Sequence, residues 1–277
     1  MGFKTIVTIL QSEQDIERAL ACATELAKRH KSHLVGVHAE ALPIPYTSAT
    51  GFPDTEFLQV SATMNKERSD RLRAAFLKAL ENSGLSTDWR SLESLSGDSA
   101  LTGIATARAA DLIVAAHHEI DSDGKADIGS LVYDSGRPVL VVPHSGPIIS
   151  QFRNIVLAWN GTREAARAAF DALPFMAEAE KTEILVIDPP DTLEETTDTT
   201  SIEIAAALAR HGINVSVSNQ KSQGKAIEDV IQGRLAETGA DLLVLGAYSH
   251  SWLRRLFFGG VTNSMLRSGQ VAAFLSR

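Results

Sequence analysis

The chain has 277 residues, 44% of them hydrophobic and 22% charged, with a formal net charge of −8. That length fits two ordinary domains of globular composition, and no run approaches the roughly 18 apolar residues of a membrane-spanning helix. The acidic balance excludes non-specific binding to nucleic acid or to an anionic membrane, which needs clustered Lys and Arg; Arg254 and Arg255 are the one local basic candidate.

In chain order, residues 4–10 are a β-branched run and read as the first strand. Residues 14–31 carry the helical stripe Ile16, Leu20, Ala23, Leu26 and Ala27, with Ser12 or Asp15 as cap. Cys22, the only cysteine, falls in this helical pattern and reads as a small core residue. One cysteine makes no intrachain disulfide, which suits a reducing compartment, and the first residues lack the apolar segment of a secretion signal; a cytoplasmic protein is expected. Residues 33–38 are the second strand, and 41–54, with three prolines and a glycine, a loop. A long helix over 56–83 stops before Gly84, residues 86–95 form the third strand, and a helix runs from Gly97 and Asp98 to 110. The apolar runs 111–116 and 138–143 are the fourth and fifth strands, with a loop or helix between them.

The second half repeats this order. Strands are expected over 154–159, 183–188, 213–218, 242–245 and 271–275. Helices are expected over 163–173 (ending at Pro174), 201–211 and 225–238, with one more over 261–268. The runs DLIVAA from Asp111 and DLLVLG from Asp241 correspond, as do FKTIVTI from Phe3 and FRNIVLA from Phe152. The repeat is too long for a solenoid unit and marks a duplicated domain, with copies at 1–146 and 152–277. Strands alternating with helices predict an α/β fold of two doubly wound, five-stranded, mainly parallel sheets, Rossmann-like, with ligands beyond the carboxyl ends of strands one and four.

In the second half those ends carry Asn160, Gly161 and Thr162 after strand one, and Gly246, Ser249, Gly259, Gly260, Val261 and Thr262 after strand four. Glycines let a backbone approach a ligand, and free N–H groups at a helix start attract phosphate. The alternative is that the glycines only shape turns, and that Asn160 and Gly161 form a turn or a cap for the next helix. In the first half, His117, His118 and Glu119 follow strand four, and Gly129 and Ser130 match the last part of the glycine loop. Consecutive histidines on an extended segment diverge, so His117 and His118 read as a solvated loop rather than as metal ligands. No P-loop, dinucleotide fingerprint, nucleophile elbow, zinc-ligand cysteine pair or nucleophile–base–orienter set is present, so no catalytic and no metal residue is assigned.

The whole chain resembles the universal stress protein family in its tandem, two-domain form. The resemblance rests on the strand-one starts, the DLLVLG strand, the glycine loop and the closing strand. Nucleotide-binding members carry G-x2-G-x9-G-(S/T) after strand four; this chain has Gly246-x2-Ser249-x9-Gly259-Gly260, with two glycines in place and Ser249 and Gly260 departing. Members that bind also carry an aspartate where Asn160 stands, and an amide donates and accepts hydrogen bonds without the charge. The resemblance implies a stress-response protein binding ATP or a related adenine nucleotide, with Mg, in its second half, as sensor or regulator with at most slow hydrolysis. The first half, with Leu10, Gln11 and Ser12 after strand one, is expected to be degenerate, Gly129 and Ser130 being a remnant. The resemblance also implies edge-to-edge pairing of the two fifth strands within one chain, and allows a homodimer of whole chains. The alternatives are a scaffold of the same fold that binds no nucleotide and works through protein contacts, or an enzyme on a small phosphorylated or acidic molecule.

Overall fold

Among the described residues, β-branched and leucine-rich runs form ten strands, and the alternating helices carry them back in parallel. The computed structural model describes residues 2–41, 55–94, 99–118, 128–189, 197–247 and 271–277. The first half supplies β1 (Thr5–Ile9), β2 (His33–Ala41), β3 (Thr87–Ser94), β4 (Leu112–Ala116) and β5 (Val139–Val142). The second supplies β6 (Asn154–Ala158), β7 (Lys181–Ile187), β8 (Val215–Gln220), β9 (Leu242–Gly246) and β10 (Ala272–Ser276).

The two expected five-stranded sheets are joined through their fifth strands into one. Among the described residues the strand order is β3-β2-β1-β4-β5-β10-β9-β6-β7-β8. Every neighbouring pair is parallel except β5 and β10, which run antiparallel with Phe274 opposite Leu140. The fifth strands therefore pair within the chain, as expected, and each half has the doubly wound order 3-2-1-4-5.

Helices lie on both faces. Helix α1 (Glu13–Asp15) passes through a π-helical turn (Ile16–Leu20) into α2 (Ala21–His30). They are followed by α3 (Thr55–Leu80), α4 (Ser99–Ala107), α5 (Ile128–Ser135), α6 (Arg163–Asp171), α7 (Leu173–Met176), α8 (Thr197–Arg210) and α9 (Ile227–Thr238). Pro174 does not simply end a helix: α6 stops at Asp171 and Pro174 sits in the first turn of α7, where a missing N–H costs nothing. The expected helix over 261–268 lies outside the described residues.

Successive strand residues point to opposite faces, so each strand feeds two cores. Leu112, Val114, Leu140 and Phe274 join one core, beneath α2, α3 and α6 to α8. Ile113, Val139, Val141 and Leu275 join the other, beneath α4, α5 and α9. Both cores contain residues of both halves. This is why β4, β5 and most of β9 are apolar throughout.

The repeated aspartates have a structural task at the amino ends of the strands. Asp111 accepts from Lys4 N and Thr5 N at 2.7 and 2.9 Å. Asp241 accepts from Arg153 N and Asn154 N at 2.8 and 3.1 Å. Each pins the start of its half's first strand beside its fourth, at the end away from any ligand cleft.

The connection between halves is held down. Arg18 donates to the carbonyls of Pro143, Gly146 and Ser145 at 2.9, 2.7 and 2.8 Å, and Arg29 to that of Ser150 at 2.7 Å. Cys22 is buried as expected, and burial pushes its thiol up to about 12. Beside it, Phe3 of the first half meets Phe175 of the second at 5.1 Å between ring centroids. Phe152 and Phe274 also contact Phe175, and the His30 ring stands edge-on to Phe3 at 5.2 Å.

This setting makes the junction acid-sensitive. Burial holds the His30 pKa below its ordinary value of 6.5, opposed by the Glu178 carboxylate and assisted by the charges of Arg29, the N-terminus and Lys4. A group whose folded pKa is depressed binds protons first in the unfolded chain, so its stabilisation is full above about 6.5 and is lost as pH falls below that value. Denaturant titrations of wild type and His30→Phe from pH 8 to 5 should show the wild type losing more stability on acidification. Parallel pH profiles would contradict this assignment.

Candidate functional site

A doubly wound sheet leaves a crevice where strand order reverses, because the connections from its two central strands leave in opposite directions. In the second half that point is the carboxyl end of β6 beside β9, with Ala158 paired to Leu245. Asn160, Gly161 and Thr162 follow β6 there, and Gly246 ends β9.

Asn160 and Gly161 are exposed and Thr162 half-buried. Gly161 has φ 72°, a left-handed conformation that favours glycine, so the chain turns sharply from β6 into α6. The Asn160 side-chain oxygen accepts from Thr162 N at 3.2 Å and from Thr162 Oγ1 at 2.8 Å. Thr162 Oγ1 in turn accepts from Ala165 N at 3.3 Å and caps α6. The turn reading of Asn160 and Gly161 is thus realised in the structure, while the cap of α6 is Thr162 rather than either of them. Trp159, buried just before, donates from Nε1 to Thr200 Oγ1 at 3.4 Å and ties α8 to the cleft wall.

Gly246 serves a close approach, though of the protein to itself. A Cβ at this position would overlap Ala165 N and the backbone of Glu164. Its absence lets the first turn of α6 pack directly on the end of β9, bringing the Asn160 turn beside that strand. In the first half Ala116 occupies the equivalent place and α1 opens into a π-helical turn, a widening common near functional sites. Ser249, Gly259, Gly260, Val261 and Thr262 lie outside the described residues.

Asp188, after β7, adds a carboxylate that the sequence pattern did not single out. Its φ is 51°, and it accepts from Ser222 N at 2.8 Å. Its bonds from the Ser222 side chain and backbone hold its pKa below the usual aspartate value.

The first-half counterpart is a closed polar cluster. His117 and His118 are buried, which corrects the solvated-loop expectation. His118, with a side chain 2% exposed, bonds through Nε2 to Asp15 Oδ1 at 2.7 Å and through Nδ1 to Gln14 Oε1 at 3.1 Å. The second oxygen of Asp15 accepts from Gln11 N, Ser12 N and Ser12 Oγ at 2.9, 2.9 and 3.0 Å. A carboxylate buried among four donors needs no ligand to satisfy it. The histidines lie on long-range contacts that no local pattern reveals. Gly129 and Ser130 sit in the first turn of α5. Among the described residues no cluster of three or more His, Cys, Asp or Glu side chains is arranged to hold a metal ion.

Two doubly wound domains fused through their edge strands define the class. Residues 151–274 match the model of the Universal stress protein family. Over 99% of its length the chain is similar to the structure of a universal stress protein from Archaeoglobus fulgidus, at 15% identity and a TM-score of 0.67 over 96% of that chain. A Pseudomonas aeruginosa protein provisionally named a universal stress protein matches 99% of this chain and 93% of its own, at 17% identity and a TM-score of 0.58. A universal stress protein in complex with cAMP matches 46% of this chain and 99% of its own, at 16% identity and a TM-score of 0.33. At these identities the two whole-chain likenesses show the fold, and the tandem form accords with them. A sequence search of curated proteins found no match.

The geometry at Gly246 yields a mutational expectation. Gly246→Ala places a methyl group against rigid helix backbone, so it should cost about 3 kcal/mol, the upper part of the usual overpacking range, measured by denaturant unfolding. Gly161→Ala, strained only in φ, should cost about 1 kcal/mol. Equal and small losses would show that α6 gives way easily.

Proposed function

We propose that the second half binds an adenine nucleotide, ATP or a relative, at the carboxyl ends of β6 and β9, and that the chain acts in the cytoplasm as a stress-linked sensor or regulator. The carrying observation is the juxtaposition at the crevice: the exposed Asn160–Gly161 turn and the amino end of α6 stand directly against the end of β9, from which the glycine loop departs. The match of residues 151–274 to the universal stress protein family model supports the same reading. In it, Asn160, Gly161 and Thr162 face the nucleoside. Gly246 and Ser249 lead into the loop, and Gly259, Gly260, Val261 and Thr262 offer backbone amides and a hydroxyl to the phosphates. In this reading Mg accompanies the nucleotide as its phosphate complex. The domains are 1–146 and 152–277, only the second retaining the site. No helix among the described residues is long and apolar enough to cross a membrane.

One observation favours a scaffold without nucleotide: the Asn160 side-chain oxygen is engaged by Thr162, whereas a family aspartate at that place holds the adenosine. Calorimetric titration with ATP and magnesium separates the two. Binding should be saturable in the wild type and lost in Gly259→Val, whose side chain would fill the place of a phosphate. Absence of heat and of thermal shift at millimolar nucleotide would favour the scaffold. Unchanged binding by Gly259→Val would move the site away from that loop.

A further inference from the structure

The strand registers allow the two clefts to be compared residue by residue. Ile9 pairs with Val37 in the first half and Ala158 with Leu185 in the second. One step on, Leu10 N donates to Val37 O and Trp159 N to Leu185 O, each at 2.9 Å. Leu10 thus corresponds to Trp159 and His38 to Val186; beyond them Gln11 corresponds to Asn160 and Ala39 to Ile187.

At this row the halves diverge. The carboxamide of Gln11, a residue only 6% exposed, donates from Nε2 to Ala39 O at 2.5 Å and accepts at Oε1 from Ala39 N at 3.0 Å. Both backbone groups of one residue are thereby taken by one planar amide. His38 Nδ1 donates to Leu10 O at 2.8 Å, so the last carbonyl of this row is also met by a side chain. The floor beneath is apolar: an added Cβ on Gly103 of α4 would lie 3.4 Å from Val37 and 4.0 Å from Ile9. In the second half Val186 has no group to bond Trp159 O, and the shorter Asn160 turns its oxygen to Thr162.

A carboxamide offers one N–H donor beside one acceptor oxygen, and the amino-and-ring-nitrogen edge of adenine offers the same pair at similar spacing. We propose that Gln11, seconded by His38, is a tethered occupant of the first-half cleft, and that removing its side chain uncovers a binding site on Ala39 for planar ligands presenting an adjacent donor and acceptor. The first half is then sealed by its own polar side chains rather than merely eroded. The proposal deepens the reading of the second half as the open site, but stands on the Gln11 and His38 contacts alone.

Adenosine is the probe, and backbone amide resonances in 15N-labelled protein are the readout. In the wild type adenosine should leave the Ala39 amide unmoved, and the Gln11 side-chain NH2 should exchange slowly with solvent. In Gln11→Gly, or in Gln11→Ser should glycine unfold the chain, the Ala39 amide should shift saturably at millimolar adenosine. Calorimetry should then count one more equivalent bound than in the wild type. The Ile187 amide reports the second half separately, so silence there with a shift at Ala39 would sink the nucleotide reading and not this one. A wild-type Ala39 amide that moves with adenosine, a rapidly exchanging Gln11 side chain, or a folded variant whose Ala39 amide stays still would each overturn the proposal.

Discussion

The antiparallel pairing of β5 with β10 is the contact on which the rest of the molecule depends. Each half ends its sheet in a strand that is apolar on both faces, and such an edge left open would recruit another chain. Pairing the two edges removes both liabilities and lets each core run without a break from Phe3 to Phe274 on one face and from Val7 to Leu275 on the other. The linker follows from the same constraint. It must reverse the chain from the end of β5 to the start of β6, and the Arg18 and Arg29 guanidinium groups hold its carbonyls while it does so.

Because the seam is antiparallel while each half is internally parallel, the carboxyl ends of the two strand sets lie at opposite edges of the sheet. The clefts therefore point away from each other and are separate surfaces. The first is filled with satisfied polar groups: Asp15 with four donors, His118 between Asp15 and Gln14, Gln11 on Ala39 and His38 on Leu10. The second keeps an exposed turn and a helix amino end packed on a strand that lacks a side chain at Gly246. Among the described residues, one end of the duplicated scaffold is thus lined by internally bonded polar groups and the other by an exposed turn. The halves stay alike at the other ends, where Asp111 and Asp241 make the same pair of bonds.

Much of this was legible in the sequence. β-Branched runs, unbroken apolar runs in central strands and glycine or proline punctuation place nearly every element; the repeat predicts the duplication, and the family resemblance implies the seam. The helix stop at Pro174 misleads because proline can begin a helix as well as end one. The π-helical turn at Ile16–Leu20 leaves no mark in the apolar stripe. The burial of His118 was not legible because Asp15, its partner, is far away in the chain and meets it only when β1 and β4 pair. The Gln11 contact was hidden for the same reason, since a glutamine after a strand reads as solvated until Ala39 is placed beside it. Gly246 reads in the sequence as a place where the backbone can approach a ligand; what its missing side chain admits in the structure is the backbone of α6.

Native-state hydrogen exchange across the seam tests the central feature most directly. If one sheet and two shared cores join the halves, amides of β5 and β10 should open only with global unfolding, at the same free energy as amides in the middle of β1, β4, β6 and β9. Seam amides that exchange through a cheaper opening, while the interior of each half stays protected, would show two separate domains that merely touch.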